Sequence, residues 1–123
     1  MNNNLVSVII PVYNSESTIV KTLESVLKQT LRSIEIICVN DGSTDASLSL
    51  LNQIANNDAR VKVISIDNSG PGVARNIGLS YASGDYIAFL DSDDEYCSSF
   101  SLEKMWSVAQ ETNSNLFMGR VFF

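Results

Sequence analysis

The chain has no histidine, and only two of its 123 residues are cysteine and two proline. Without histidine it cannot supply a Ser-His or Cys-His nucleophile pair or a His-bearing zinc site, so whole classes of hydrolase drop out. Cys38 lies inside an apolar run and Cys97 follows an acidic cluster, with no CxxC pair and no metal-ligand spacing. Cys38 reads as a small buried hydrophobe. Positive charge is scarce as well: eight Lys and Arg face fourteen Asp and Glu, and the formal charge is −6. The basic residues are scattered, so the clustered Lys and Arg that a nucleic-acid surface needs are missing. No apolar run approaches the ~20 residues that cross a bilayer. Met1 to Asn4 offers neither the basic start nor the apolar stretch of a secretory signal. A cytoplasmic chain without a transmembrane segment is the expectation.

What is present is an ordinary globular composition, 45% hydrophobic and 18% charged, which argues against disorder and low complexity. At 123 residues the chain suits one domain with a real core, on a prior of roughly 100–200 residues per domain.

The order of elements is legible. Val6 to Val12 is a β-branched run, and Ser15 is placed to cap a helix whose apolar positions Ile19, Val20, Leu23, Val26 and Leu27 repeat at helical spacing through about Gln29. Ile34 to Val39 predicts a second strand, Asp41 to Thr44 a turn, and Leu48, Leu51, Ile54 and Ala55 a second helix closing near Asn56 and Asn57. Val61 to Ile66 predicts a third strand, Gly70-Pro71-Gly72 a break, Val73 to Ser80 a short helix, and Tyr86 to Leu90 a fourth strand. Ser98 or Ser99 is placed to cap a last helix with Leu102, Met105, Trp106 and Ala109 on one face, and Leu116 to Phe123 reads as a final strand. Such alternation predicts an α/β fold, a Rossmann-like, mostly parallel sheet with flanking helices.

The stretch Asp91-Ser92-Asp93-Asp94 follows the apolar run Tyr86 to Leu90 with no spacer. Like charges crowded at a strand tip repel one another unless a cation neutralises them, most simply a hard divalent metal with oxygen ligands. The same acids also suit a solvated loop leading into the following helix. Right-handed crossovers place every strand's carboxyl end on one side of a parallel sheet, where ligands bind. The segments Pro11 to Asn14, Asn40 to Asp45, Asp67 to Gly72 and Asp91 to Asp94 therefore converge on one crevice.

These segments, read as Val6-Ser-Val-Ile-Ile-Pro-Val-Tyr-Asn14, Asn40-Asp-Gly-Ser-Thr-Asp45, Gly70-Pro-Gly-Val-Ala-Arg-Asn-Ile-Gly78 and Tyr86-Ile-Ala-Phe-Leu-Asp-Ser-Asp-Asp94, resemble the successive motifs of the family 2 glycosyltransferases of the GT-A fold. The resemblance implies inverting, metal-dependent transfer of a sugar from a nucleotide-diphosphate donor, UDP-sugar favoured, to an unknown glycan or lipid acceptor. It covers the donor-binding part of such an enzyme over residues 1–123 and implies that the acceptor-binding C-terminal part lies outside them. A membrane-proximal location is implied by resemblance only.

Each matched residue has a physical job under that reading. Asp41, with Gly42 behind it for a tight turn, offers a carboxylate to a base N–H, and the resemblance assigns it to uracil or another base; a turn or capping role is the plain alternative. Pro11, Val12, Tyr13 and Asn14 end strand one, where an aromatic face and an amide suit a nucleoside. Arg75, in the first turn of a short helix, is mildly opposed by the dipole and invites an anion such as a diphosphate; a salt bridge to Asp67 or Asp41 would also satisfy it. Asp91 and Asp93 form a D-x-D pair. In extended backbone both carboxylates face the same way while Ser92 turns aside. The resemblance makes Asp93 the direct ligand of Mg²⁺ or Mn²⁺ and places Asp91 nearer the ribose. Asp45 with Thr44 reads as a helix cap, and Asp94 and Glu95 as acids leading a helix.

Inverting transfer also needs a carboxylate base. The last acid is Glu111, and none occurs from Thr112 to Phe123, so no catalytic base is identified. A non-catalytic nucleotide-sugar binding module is the alternative reading. A phosphoacceptor receiver domain fits less well, since it wants acids where this chain has Val12-Tyr13-Asn14. The apolar ending Arg120-Val-Phe-Phe123 predicts self-association through that end.

Overall fold

The computed structural model describes residues 4–112. The expected strand over 116–123, and the self-association assigned to it, lie outside the described residues. Among the described residues four strands and four helices alternate: β1 (Val6–Val12), α1 (Ile19–Leu27), β2 (Ile34–Asp41), α2 (Ser47–Asn57), β3 (Val61–Ile66), α3 (Pro71–Tyr81), β4 (Tyr86–Phe89) and α4 (Ser101–Thr112). The strands form one sheet in the order β3-β2-β1-β4, and every pairing is parallel, with Val6 opposite both Ile34 and Tyr86.

Both central strands are buried along their whole length, as their mostly aliphatic sequences favour. One face of the sheet, carrying Val8, Ile10, Ile36 and Cys38, packs against Leu23 and Val26 of α1, Leu51 of α2 and Leu102 of α4. The other face, carrying Ile37 and Val39, packs against Ala74 of α3. The chain steps outward from β1 to β3 and then crosses back to β4. A right-handed crossover in each direction puts α3 on the opposite face from α1 and α2. The reversal between β1 and β4 is a topological switch point, and their carboxyl ends open a crevice there. Close packing of α3 depends on Gly78, where a Cβ would come within 2.6 Å of Ile9 Cγ2 and 3.2 Å of Val39 Cγ2.

The amino end of β4 is set by a buried carboxylate. Glu35 Oε2 accepts hydrogen bonds from Ser7 Oγ at 2.5 Å, Ser83 N at 2.6 Å and Ser83 Oγ at 2.8 Å, while Oε1 accepts one from Lys62 Nζ at 2.8 Å. Burial pushes this carboxyl's pKa up, but the Lys62, Ser7 and Ser83 donors together outweigh it and bring it down to about 2.

Several boundaries differ from those the sequence predicts. β2 runs two residues further, through Asp41, so Asn40 and Asp41 sit on the strand rather than beyond it. α1 begins at Ile19 without a side-chain cap: the Ser15 hydroxyl bonds Tyr13 O and Ser92 Oγ, and its carbonyl takes the Thr18 and Ile19 N–H groups instead. α3 starts at Pro71 rather than Val73, because proline suits the first helical position. Arg75 therefore lies past the first turn. Asp94 and Glu95 lead no helix, since α4 begins at Ser101 and the acid in its first turn is Glu103.

Candidate functional site

At the switch point lies a cleft of about 660 Å³, within the range of ~300–1,000 Å³ usual for small-molecule sites. Of the ten residues singled out in the sequence, nine line it: Pro11, Val12, Tyr13 and Asn14 after β1, Asp41 at the end of β2, Arg75 on α3, and Asp91, Ser92 and Asp93 after β4. Gly42 does not line it. Its φ of +69° and the 2.7 Å that a Cβ would leave to Asn68 N show why glycine is needed there: the β2 turn passes tightly against the β3–α3 loop. Asn68, Gly70 and Pro71, from the segment Asp67 to Gly72 expected at the crevice, also line it, whereas sequence reasoning missed Ser15, Ser17 and Thr18. Short hydroxyl and amide residues in loops carry little pattern of their own.

Asp41 is buried, and its two carboxylate oxygens accept the N–H groups of Ser69 at 2.7 Å and Gly70 at 3.0 Å, while its carbonyl accepts from Asn68 Nδ2 at 2.9 Å. One residue thus holds the whole β3–α3 loop at the cleft rim. Asn14 adopts φ +45°, a conformation that asparagine tolerates better than most residues. Its Oδ1 takes the Thr44 N–H at 2.8 Å, which fixes the β1 loop to the β2 loop. Tyr13, 51% exposed, keeps its ring at the cleft. Asp45 Oδ1 accepts the Ser47 N–H at the start of α2, and its Oδ2 accepts the Glu16 N–H. The N-cap position of α2 is Ala46, without a side-chain cap, so Asp45 braces the turn one residue ahead of that position, where the sequence predicts a cap.

Arg75 is not paired with Asp67 or Asp41, the partners weighed from sequence. Its Nη2 lies 3.4 Å from Asp91 Oδ1, with both side chains more than a third exposed. A pair so long and so wet contributes little stability, and the guanidinium remains available to an anion in the cleft.

Asp91, Asp93 and Asp94 each bring one carboxylate oxygen within 4.8 Å of the others. Two oxygens on opposite sides of a hard octahedral cation stand about 4.2 Å apart, so small side-chain movements suffice for all three to reach one ion. The donor set is oxygen only, which suits Mg²⁺, Mn²⁺ or Ca²⁺ rather than a soft metal. Asp94 joins this group although its sequence position suggested a helix-leading role. Its pKa is raised, first by partial desolvation and then by the neighbouring Asp93 and Asp91 charges. A cation at this point would relieve that repulsion.

Comparison with known proteins gives a consistent result. The sequence profile described as Glycosyl transferase family 2 matches residues 7–123. An uncharacterised glycosyltransferase of Haemophilus influenzae is 49% identical over 105 residues, covering 85% of this chain and 42% of that protein. A poly(ribitol-phosphate) beta-glucosyltransferase of Bacillus spizizenii is 42% identical over 120 residues, 94% of this chain and 19% of that one. The chain thus spans well under half of either relative. Among solved structures, Staphylococcus aureus TarS 1–349 in complex with UDP-GlcNAc superposes with a TM-score of 0.83 at 36% identity, over 89% of this chain and 32% of that one. The Pyrobaculum calidifontis mannosyltransferase PcManGT, solved with GDP-Man and Mn²⁺, gives 0.76 at 24% identity over 81% of this chain and 30% of that one, a likeness of fold.

Proposed function

Because the chain belongs to glycosyl transferase family 2, we propose that its cleft binds the nucleotide-diphosphate part of a sugar donor, a UDP-sugar by preference, together with a divalent ion. The observation that carries this reading is the convergence of Tyr13, Arg75 and the Asp91 and Asp93 carboxylates on one cleft at the switch point of the sheet, with the Asp94 carboxylate grouped beside those two. A nucleoside needs an apolar face and amide or carboxylate partners, and a diphosphate needs cations. Tyr13, Asn14 and the loop held by Asp41 supply the first set. Arg75 and a bound metal supply the second.

Asp93 and Asp91, with Asp94, would hold Mg²⁺ or Mn²⁺; when bound, such an ion neutralises the diphosphate and the charge that develops on the departing nucleotide. Preference for uridine is supported by the 36% identity to TarS, a protein crystallised with UDP-GlcNAc. The complete protein would then transfer the sugar to a glycan or lipid acceptor with inversion, this chain forming its donor-binding domain.

A second reading, a nucleotide-sugar binding module, draws on one observation. Among the described residues the acids lining the cleft are Asp41, Asp91 and Asp93. The first is committed to the Ser69 and Gly70 N–H groups, and the other two to the metal under the primary reading. None is free to act as a base.

Calorimetric titration of UDP-GlcNAc with and without Mn²⁺ tests the proposal. Binding should tighten at least tenfold with the ion, and Asp93→Asn should remove that gain. Metal-independent binding unaffected by Asp93→Asn would sink the metal part. No binding of UDP, GDP or their sugars under any condition would sink the whole.

A further inference from the structure

In and around α1, hydroxyl and amide residues recur in steps of three and four: Thr22 and Ser25 within the helix, Ser15 and Thr18 just before it, and Gln29 just after it. Such residues are poor helix formers unless their side chains find partners. Here, besides local backbone carbonyls, each of them finds a partner in one distant segment, residues 92–102. Ser15 Oγ is 2.6 Å from Ser92 Oγ. Thr18 Oγ1 and Thr22 Oγ1 each donate to the Ser92 carbonyl at 2.9 Å. Ser25 Oγ accepts the Tyr96 N–H at 3.1 Å, and Gln29 bridges Ser98 O at 2.8 Å and the Leu102 N–H at 3.0 Å.

We propose that Thr18 and Thr22 are positioning residues for the metal-binding carboxylates, acting through the Ser92 carbonyl that both of them bind. The inference rests on the reading of the cleft as a metal-assisted donor site. Its physical basis is the planarity of the peptide unit: the Ser92 carbonyl and the Asp93 nitrogen and Cα belong to one rigid plane. Two hydroxyl donors occupy both lone pairs of that oxygen and thereby fix where the Asp93 side chain starts. Thr22 is 1% exposed, so water does not replace its hydroxyl if it is lost. The acidic tip follows a four-residue strand at the edge of the described sheet, which alone holds it weakly. The helix face acts as its ruler. Neither threonine needs to touch donor or metal for its loss to be felt at the ion.

The test compares Thr22→Val, which keeps shape and removes the hydroxyl, with Thr22→Ser, which keeps the hydroxyl, in the full chain. Free Mn²⁺ in the presence of UDP is measured by electron paramagnetic resonance, and metal-free UDP binding by calorimetry. Thr22→Val should raise the Mn²⁺ Kd about tenfold, the scale of lost outer-shell partners, leave the metal-free UDP Kd within twofold, and be rescued by Thr22→Ser. Should Thr22→Val fail to fold, Thr22→Ala, which removes the hydroxyl without a new methyl against its neighbours, carries the same test at a residue outside the cleft lining, with the same direction expected. Mn²⁺ binding within twofold of the original chain in the folded variants overturns the inference while leaving the site reading intact. Equal losses of Mn²⁺ and metal-free UDP affinity also overturn it, since that is the mark of general structural damage. No Mn²⁺ binding by the unsubstituted chain overturns the metal site and this inference together.

Discussion

Ser7 and Glu35 stand opposite each other in the β1–β2 register and share a 2.5 Å side-chain hydrogen bond at the end of the sheet remote from the cleft. Lys62 and the Ser83 backbone complete the cluster, so one buried carboxylate ties β1, β2 and β3 to the turn that launches β4. The acidic tip at the far end of β4 inherits its placement from this anchor as well as from α1.

The Glu35 carboxyl is brought from an ordinary 4.5 to about 2 in the folded chain. A lowered folded-state pKa means that the unfolded chain binds the proton more readily. The stabilisation is therefore complete above about pH 4.5 and is lost as pH falls towards 2. Urea denaturation across that window should show a loss on the order of 2–3 kcal/mol from this group. Glu35→Gln should be less stable at neutral pH and show a shallower acid slope; an unchanged slope would remove Glu35 from the account.

The strand and helix order is readable because buried parallel strands leave mostly aliphatic, β-branched runs, as in Val6–Val12 and Ile34–Val39 with Ser7 and Glu35 as interruptions, and because amphipathic helices repeat their apolar positions as α1 does. The crevice followed from topology alone, since parallel strands with right-handed crossovers share a carboxyl-end rim. What stayed hidden were contacts across long sequence separations. Nothing local in Thr22 announces Ser92, seventy residues away, and nothing local in Asp41 announces that its oxygens are taken by the Ser69 and Gly70 N–H groups. Asp94 reads as a helix-leading acid because nothing local shows that its carboxylate stands beside those of Asp91 and Asp93. Its three-carboxylate grouping depends on how the tip folds back.

Gly42→Ala should disturb both stability and the cleft. A side chain at φ +69° is strained, and its Cβ would press on the Asn68 backbone nitrogen at 2.7 Å. The backbone cannot swing aside as a flexible side chain would, so a loss of roughly 1–3 kcal/mol is expected. Chemical denaturation measures the first effect. Calorimetry should show weaker UDP binding, because the displaced loop carries Asn68 and Gly70 into the cleft wall.

Asp41→Asn keeps size but leaves one acceptor oxygen where there were two. One of the Ser69 and Gly70 N–H groups must then face an amide NH₂, and since the loop is largely exposed and water can reach the freed group, the loss is that of one hydrogen bond, roughly 0.5–1.5 kcal/mol. Amide hydrogen exchange over residues 67–71 should speed up while β1 and β2 keep their protection. UDP affinity should fall about tenfold if the loop forms part of the nucleoside seat. Unchanged exchange in that loop would show that the carboxylate's two bonds do not hold it.

Asp94 separates the cost of the acidic tip from its use. Its raised pKa, caused by desolvation and by Asp93 and Asp91, means that the fold prefers it protonated, so stability falls as pH rises through its titration and the penalty is present in full at neutral pH. Replacing it with a neutral isostere removes that penalty. Asp94→Asn should therefore raise the metal-free Tm at pH 7, and the gain should shrink as pH falls through the carboxyl's titration. With Mn²⁺ present the order should invert, because the ion stabilises the original chain in proportion to its affinity and the variant has lost one oxygen donor of the three. Thermal melts at two pH values, with and without Mn²⁺, read all four states. A variant that melts below the original chain in the absence of metal would show that the three carboxylates are held by attraction to something else in the fold rather than kept apart by their own charge.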